Sequence, residues 1–174
     1  MHIRKVAYAG VVAALYAALT LAVAPVSYGP IQFRIAEVLS IMPFFYPVTA
    51  FGLFIGCVIA NLLSPYGAID IIAGSFATLA AALCTMRLGK ASRESFTVKA
   101  LACFPPVFFN ALIIGAVIAW SETGGGEAFR LSFAINGLQV GGGQLVVMYI
   151  LGLPLMVYLP KTRFFAVLSE IYNI

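Results

Sequence analysis

Charge is scarce in this chain of 174 residues: Asp, Glu, Lys and Arg make up 9% of it, against 63% hydrophobic residues and a mean hydropathy of +1.05. Soluble domains draw roughly half of their residues from apolar types and about a quarter from charged ones, so that class is excluded. Histidine occurs once, as His2, which leaves no basis for a His-based metal site or catalytic dyad. Cys57, Cys84 and Cys103 are isolated, odd in number and set in apolar segments. They read as small buried hydrophobes rather than disulfides or metal ligands. Neither a GxxxxGK[ST] phosphate loop nor a GxSxG elbow occurs, so ATP hydrolysis by that route and serine-hydrolase chemistry have no residues to use. Nothing requires a cofactor, and any energy from ATP must come from partners.

What is present is sequence suited to lipid. A bilayer core takes about 20 apolar residues per helix, and residues 1–174 hold enough for one compact integral membrane domain. Apolar runs and their breakers predict an all-α bundle of six transmembrane helices. They run about 6–24, 35–45, AFGLFIGCVIANLL up to Ser64-Pro65, 69–88, 100–120 and 131–159. The first run lacks a cleavage-type site before a polar sequence and reads as a retained helix. Residues 35–63 are short for two full spans, so at least one of these two helices is tilted, kinked or shortened.

Cytoplasmic loops carry the excess of Lys and Arg. Eight of the ten basic residues fall at the N-terminus, between the fourth and fifth helices, and near the C-terminus, leaving Arg34 and Arg130 on the other side. Both termini are therefore expected in the cytoplasm of a multi-pass cell-membrane protein. The net charge of +4 then reflects topology and gives no ground for nucleic-acid binding.

Against that background the polar residues stand out. Arg34 and Glu37 lie three apart, which on a helix is one face. Snorkelling and simple pairing would explain them, but Asn61 and Asp70 fall at the same membrane level. A carboxylate at a helix centre costs on the order of 3 kcal/mol, so two of them predict a polar hollow between helices. Asp70 has a competing role as a first-turn acid on its own helix. Asn136, Gln139 and Gln144 share an arc with part of the Gly141–Gly143 run, and these three amides, like Asn110, are open to interhelical packing as well as to binding. Tyr28, Phe33, Tyr66 and Trp120 belong by default to the interfacial belt. In the first helix, Gly10, Ala14, Ala18 and Ala22 recur every four residues beside a second row, Ala9, Ala13 and Ala17. Such rows let helix backbones approach closely, within the bundle or against a partner.

The stretches GPIQFRIAEVLSIMPFF, GLFIGCVIANLLSPYGAIDIIAGSFATLAAALCT and LGLPLMVYLPK resemble the QueT family, substrate-binding S-components of energy-coupling factor transporters assigned to queuosine precursors. The likeness covers essentially the whole chain and is strongest over residues 29–85. It implies a six-helix S-component fold with an outward-facing pocket for a small 7-deazaguanine. It also implies docking through small residues of the first helix, Gly10, Ala13, Ala14, Ala17 and Ala18, onto a membrane coupling subunit driven by two cytoplasmic ATPases. Set against the residues, a guanine-type edge offers adjacent N–H donors that Glu37 or Asp70 can accept. Arg34 stands beside Glu37, and Gln32, Asn61 and Gln144 supply further polar contacts. An S-component for another vitamin-like molecule and a ligand-free membrane scaffold are the competing readings.

Overall fold

The computed structural model describes residues 2–29 and 31–173, with the side chains of His2, Phe164, Ile171 and Asn173 outside the description. It is helical throughout, with no strand among the described residues. Four helices are long and apolar enough to cross a membrane: α1 (Ile3–Ala22, beginning at His2), α4 (Ala68–Ala91), α5 (Phe96–Thr123) and α6 (Ala128–Lys161). Two apolar helices between them are shorter, α2 (Ile35–Phe45) and α3 (Thr49–Asn61). The six helices expected from the sequence are thus four long ones and two short ones, the short pair falling within residues 35–63, the stretch expected to be too short for two full spans. At about 1.5 Å per residue, the thirteen residues of α3 reach about 20 Å, short of a hydrocarbon core of about 30 Å.

Small residues set the packing. A Cβ on Gly52 would run into the Ala9 carbonyl, and one on Gly56 would lie 2.7 Å from that of Ala13. The backbones of α1 and α3 therefore meet directly, the approach that holds helices together where lipid supplies no hydrophobic drive. This contact divides the two rows of α1. Ala13 and Ala17 are buried in it, at 6% and 7% exposure, whereas Gly10, Ala14, Ala18 and Ala22 are exposed, and nothing lies within 4 Å of a Cβ built on Gly10. The expectation that Ala13 and Ala17 face a partner is corrected: they serve the bundle itself.

On the other flank α5 and α6 form a hairpin through Gly124, Gly125 and Gly126, all with positive φ, a conformation only glycine adopts cheaply. A Cβ on Gly115 would sit 2.7 Å from the Gly137 Cα. Pro105 and Pro106 interrupt the start of α5, and the Ala102 carbonyl, which Pro106 leaves without its helical donor, accepts from Thr85 Oγ1 at 3.0 Å, as a proline in an apolar solvent requires. Tyr149 Oη adds a bond at 3.1 Å to the Ala100 carbonyl, which also accepts from the Cys103 N–H.

The chain ends in a helix the sequence reading did not anticipate, α7 (Arg163–Asn173). Tyr8 Oη donates to the Leu168 carbonyl at 2.5 Å, and the Tyr46 and Ser169 hydroxyls are 2.8 Å apart. The Lys5 ammonium lies 5.3 Å from the Tyr172 ring centroid, and Arg93 Nη2 donates to the Phe45 carbonyl at 3.3 Å. The N-terminus, the α4–α5 connection and α7 therefore share one end of the bundle, where the basic residues collect. Asp70 and Asn61 lie at the opposite end of α4.

Candidate functional site

The first seven residues of α2, Ile35–Ile41, wind as a 3-10 helix, in which side chains at i and i+3 eclipse one another. Glu37 and Ser40 consequently stack in one column, Arg34 precedes it as the extended N-cap residue, and Arg34, Glu37 and Ser40 are all buried, at 1%, 0% and 0% exposure. Column and bundle meet through hydroxyls. Tyr16 Oη of α1 donates to Glu37 Oε1 at 2.6 Å, Ser40 Oγ to Oε2 at 2.9 Å, and Thr78 Oγ1 of α4 to Oε1 at 3.5 Å. Both oxygens of Glu37 are thereby occupied.

Arg34 reaches the other way, its Nη2 standing 3.3 Å from Asp70 Oδ2. Ser64 Oγ donates to the same oxygen at 2.5 Å, and Asn61 Nδ2 donates to the Asp70 carbonyl at 2.9 Å. Asp70 is thus turned into the bundle and makes no cap for its own helix, which begins without a side-chain cap bond. Cys57 is the hub between the two carboxylates. Its sulfur lies 4.0 Å from Arg34 Nη1, 3.5 Å from Asn61 Nδ2 and 3.4 Å from Thr78 Oγ1. The Tyr28 ring covers the guanidinium at 5.5 Å, a cation–π contact, and its hydroxyl donates to the Ala60 carbonyl at 2.6 Å. From Asp70 to Thr78 is about 12 Å along the axis of α4, so the column of polar groups runs from the helix end well into the apolar layer.

Several polar atoms here are buried with no partner: Gln32 Nε2, Arg34 Nε, Asn61 Oδ1, Asp70 Oδ1, Gln144 Oε1 and both amide atoms of Asn110. Buried polar groups are paired in the great majority of cases, because each orphan costs about 1–3 kcal/mol. Such a concentration makes this cluster the candidate site. Backbone geometry agrees: Gln32 adopts φ of +49°, a left-handed conformation that costs a non-glycine residue energy and concentrates at functional positions. Asn110 opens a π-helical segment, Asn110–Ile114, and Gln144 shortly precedes another, Val147–Gly152; such bulges are frequent at sites of function.

The sequence led to an open hollow, and the structure corrects this: the cluster is packed shut. The neighbouring cavity, about 530 Å³, is a groove between α5 and α6 lined by Tyr66, Glu122, Ser132, Asn136 and Gln139 among others. Glu122 Oε2 accepts from Ser132 Oγ at 2.6 Å and Asn136 Nδ2 at 2.9 Å. Tyr66 links groove and cluster. Burial raises its phenol above the ordinary pKa, and the charges of Asp70, Glu122 and Arg34 all act on it.

Of the residues singled out from sequence, Arg34, Glu37, Asn61 and Asp70 come together, with Gln32 adjoining as the residue whose carbonyl accepts from the Arg34 backbone N–H at 2.8 Å. Gln144 is buried beside the same loop, since a Cβ on Gly143 would strike the Ile31 carbonyl, but it bonds to neither carboxylate. The helix-six amides part company: Asn136 and Gln139 face the groove, and Gln144 points inside. Tyr16, Ser40, Cys57, Ser64, Thr78 and Glu122 were missed. Ser40 was within reach, three residues beyond Glu37 as Glu37 is beyond Arg34. Tyr16 was not, because only the crossing of α1 over α2 brings it there.

An apolar bundle with several membrane-length helices that withdraws an arginine, two carboxylates and a set of unpaired amides from lipid is built as a multi-pass membrane protein with a buried polar site. Comparison with known proteins agrees. The family described as QueT transporter matches residues 6–161, and the chain belongs to that family. It is similar to the "Queuosine precursor transporter QueT" of Lactococcus lactis subsp. cremoris (strain MG1363), at 44% identity over 71 residues, which is 40% of this chain and 41% of that relative. No solved structure matches the chain.

Proposed function

We propose that this protein is the substrate-capture subunit of an energy-coupling-factor importer, taking a queuosine precursor of the 7-deazaguanine type from outside the cell. In this reading the two short helices complete six membrane elements, the basic end faces the cytoplasm with both termini, and the exposed row Gly10, Ala14, Ala18 and Ala22 docks onto a coupling subunit driven by two ATPases. The reading is carried by the set of unpaired buried atoms at Gln32, Arg34, Asn61 and Asp70.

Their chemistry complements a guanine edge. Asp70 Oδ1 and Asn61 Oδ1 are free acceptors for adjacent ring and amino N–H groups, and Gln32 Nε2 and Arg34 Nε are free donors for the ring carbonyl. Asp70 therefore takes the role of edge reader in preference to Glu37, whose oxygens are already occupied. Glu37 has an electrostatic role. Arg34 is the one buried cation among the described residues, against two buried carboxylates. A precursor with an aminomethyl arm brings the missing positive charge. Passage from the groove requires Tyr66 and the loop before α2 to move aside.

Direct binding to the purified protein tests this, using 7-aminomethyl- and 7-cyano-7-deazaguanine. Losing one charge-assisted bond contributes about 1.5–3 kcal/mol, so Asp70→Asn is expected to weaken both ligands roughly 10- to 100-fold. Glu37→Gln is expected to weaken the aminomethyl compound selectively. Unchanged affinity in Asp70→Asn removes the edge-reading role, and equal losses for both ligands in Glu37→Gln remove the charge-balancing one.

A further inference from the structure

At the basic end, away from the polar cluster, a second cavity of about 420 Å³ lies between the α2–α3 turn, the α4–α5 connection and α7. Arg93 and Lys99 supply charge to its wall, Tyr46 and Ser169 hydroxyls, and Phe165 and Pro160 an apolar side. Glu94 also lines it and offsets one of the two cations. The surroundings restore the excess, because this end of the bundle carries eight of the ten basic residues and two of the six acidic ones, Glu94 and Glu170. Lys5 approaches the Tyr172 ring on the same wall.

The floor is fixed while the cations are not consumed. Phe45 packs edge-on against Phe165 at 5.0 Å between ring centroids, and Tyr46 lies 5.0 Å from Tyr172. Arg93 spends one N–H on the Phe45 carbonyl, and neither it nor Lys99 forms an ion pair among the described residues. Val167, on another face of α7, is 52% exposed, as befits a helix lying along a bilayer surface. A half-enclosed basic pocket with hydroxyls and one greasy wall, at the membrane surface of a helical bundle, is the chemistry that holds a phosphate group whose other substituents are acyl chains.

We propose that this cavity binds the phosphate headgroup of an anionic phospholipid, with Arg93 and Lys99 on the phosphate, and so ties α7 and the α4–α5 connection to the adjoining leaflet. The site is separate from the proposed substrate site and does not depend on it.

The test uses the full chain in nanodiscs of phosphatidylcholine alone and of phosphatidylcholine with phosphatidylglycerol, with native mass spectrometry counting retained lipid and thermal unfolding as a second readout. The expected result is retention of one phosphatidylglycerol enriched on the order of tenfold over the zwitterionic lipid, with a higher unfolding temperature in the anionic discs. Arg93→Gln/Lys99→Gln is expected to abolish the enrichment, and Arg163→Gln, which does not line the cavity, to preserve it. Inorganic phosphate and glycerol 3-phosphate added to phosphatidylcholine discs distinguish the sources. If they reproduce the full thermal shift, the site takes a soluble anion and the lipid assignment is overturned. Absence of enrichment in the wild-type protein overturns it without recourse to any variant, and equal retention in the double variant does so too.

Discussion

The pairing of Arg34 with Asp70 makes an ordered set of stability predictions from charge alone. With Arg34 and Asp70 at 1% and 0% exposure and Glu37 at 0%, the cluster carries one positive and two negative formal charges, a net of minus one. Arg34→Met takes it to minus two with no cation. Asp70→Asn takes it to zero and leaves Arg34 with Glu37 as its remaining charged neighbour. Arg34→Met/Asp70→Asn restores minus one. Breaking a buried pair by removing one partner costs about 3–5 kcal/mol, which is the expected loss for Arg34→Met. Asp70→Asn forfeits the charge assistance of two contacts, from Arg34 Nη2 at 3.3 Å and from Ser64 Oγ at 2.5 Å, and is expected to cost about 1–3 kcal/mol. The double variant is expected to be more stable than Arg34→Met, the reverse of additivity. Reversible unfolding of the ligand-free protein in detergent, followed by helical circular dichroism, measures all four forms. If Arg34→Met costs no more than Asp70→Asn, or if the double variant shows the sum of the two losses, the charges are not coupled and the electrostatic account of the cluster fails.

Other perturbations separate backbone from side chain. Gln32→Gly is expected to relieve the left-handed conformation at φ +49° and raise the stability of the unliganded protein by a few tenths to about 1 kcal/mol, while weakening deazaguanine binding through loss of the amide; tighter binding in calorimetry would sink the role given to Gln32. Gly74→Ala puts a methyl 2.6 Å from Asn61 Nδ2 and 2.9 Å from Asp70 Oδ1, so ligand affinity should fall more steeply than unfolding temperature. Gly52→Leu drives a side chain into the Ala9 carbonyl and should cost about 1–3 kcal/mol or more by overpacking, read as a lower unfolding midpoint. Ala14→Leu, on the open face of α1, should leave ligand affinity and stability intact and reduce recovery of the coupling subunit in co-purification; undiminished recovery argues against docking through that row.

What sequence reveals here depends on whether a signal is local. Apolar runs located the four long helices because lipid requires about 20 residues of one character. The same rule flagged residues 35–63 as too short for two ordinary spans. It did not disclose that α2 would wind as a 3-10 helix, since that choice follows from fitting a short segment among α1, α4 and α6. Yet the winding matters chemically: eclipsing at i+3 puts Glu37 and Ser40 in single file, behind the buried Arg34 that precedes the helix in an extended conformation. The two small-residue rows of α1 were equally legible as rows and illegible as roles, because only Gly52 and Gly56 on the opposing helix decide which row is consumed. Asp70 shows the same limit from the other side. A first-turn acid is a cap by local rules, and it became half of an ion pair because Arg34, thirty-six residues earlier in the chain, occupies the space beside it. Local spacing nominated these groups; the orphaned oxygen of Asp70, against the fully engaged oxygens of Glu37, is what ranks them, and no sequence pattern carries that distinction.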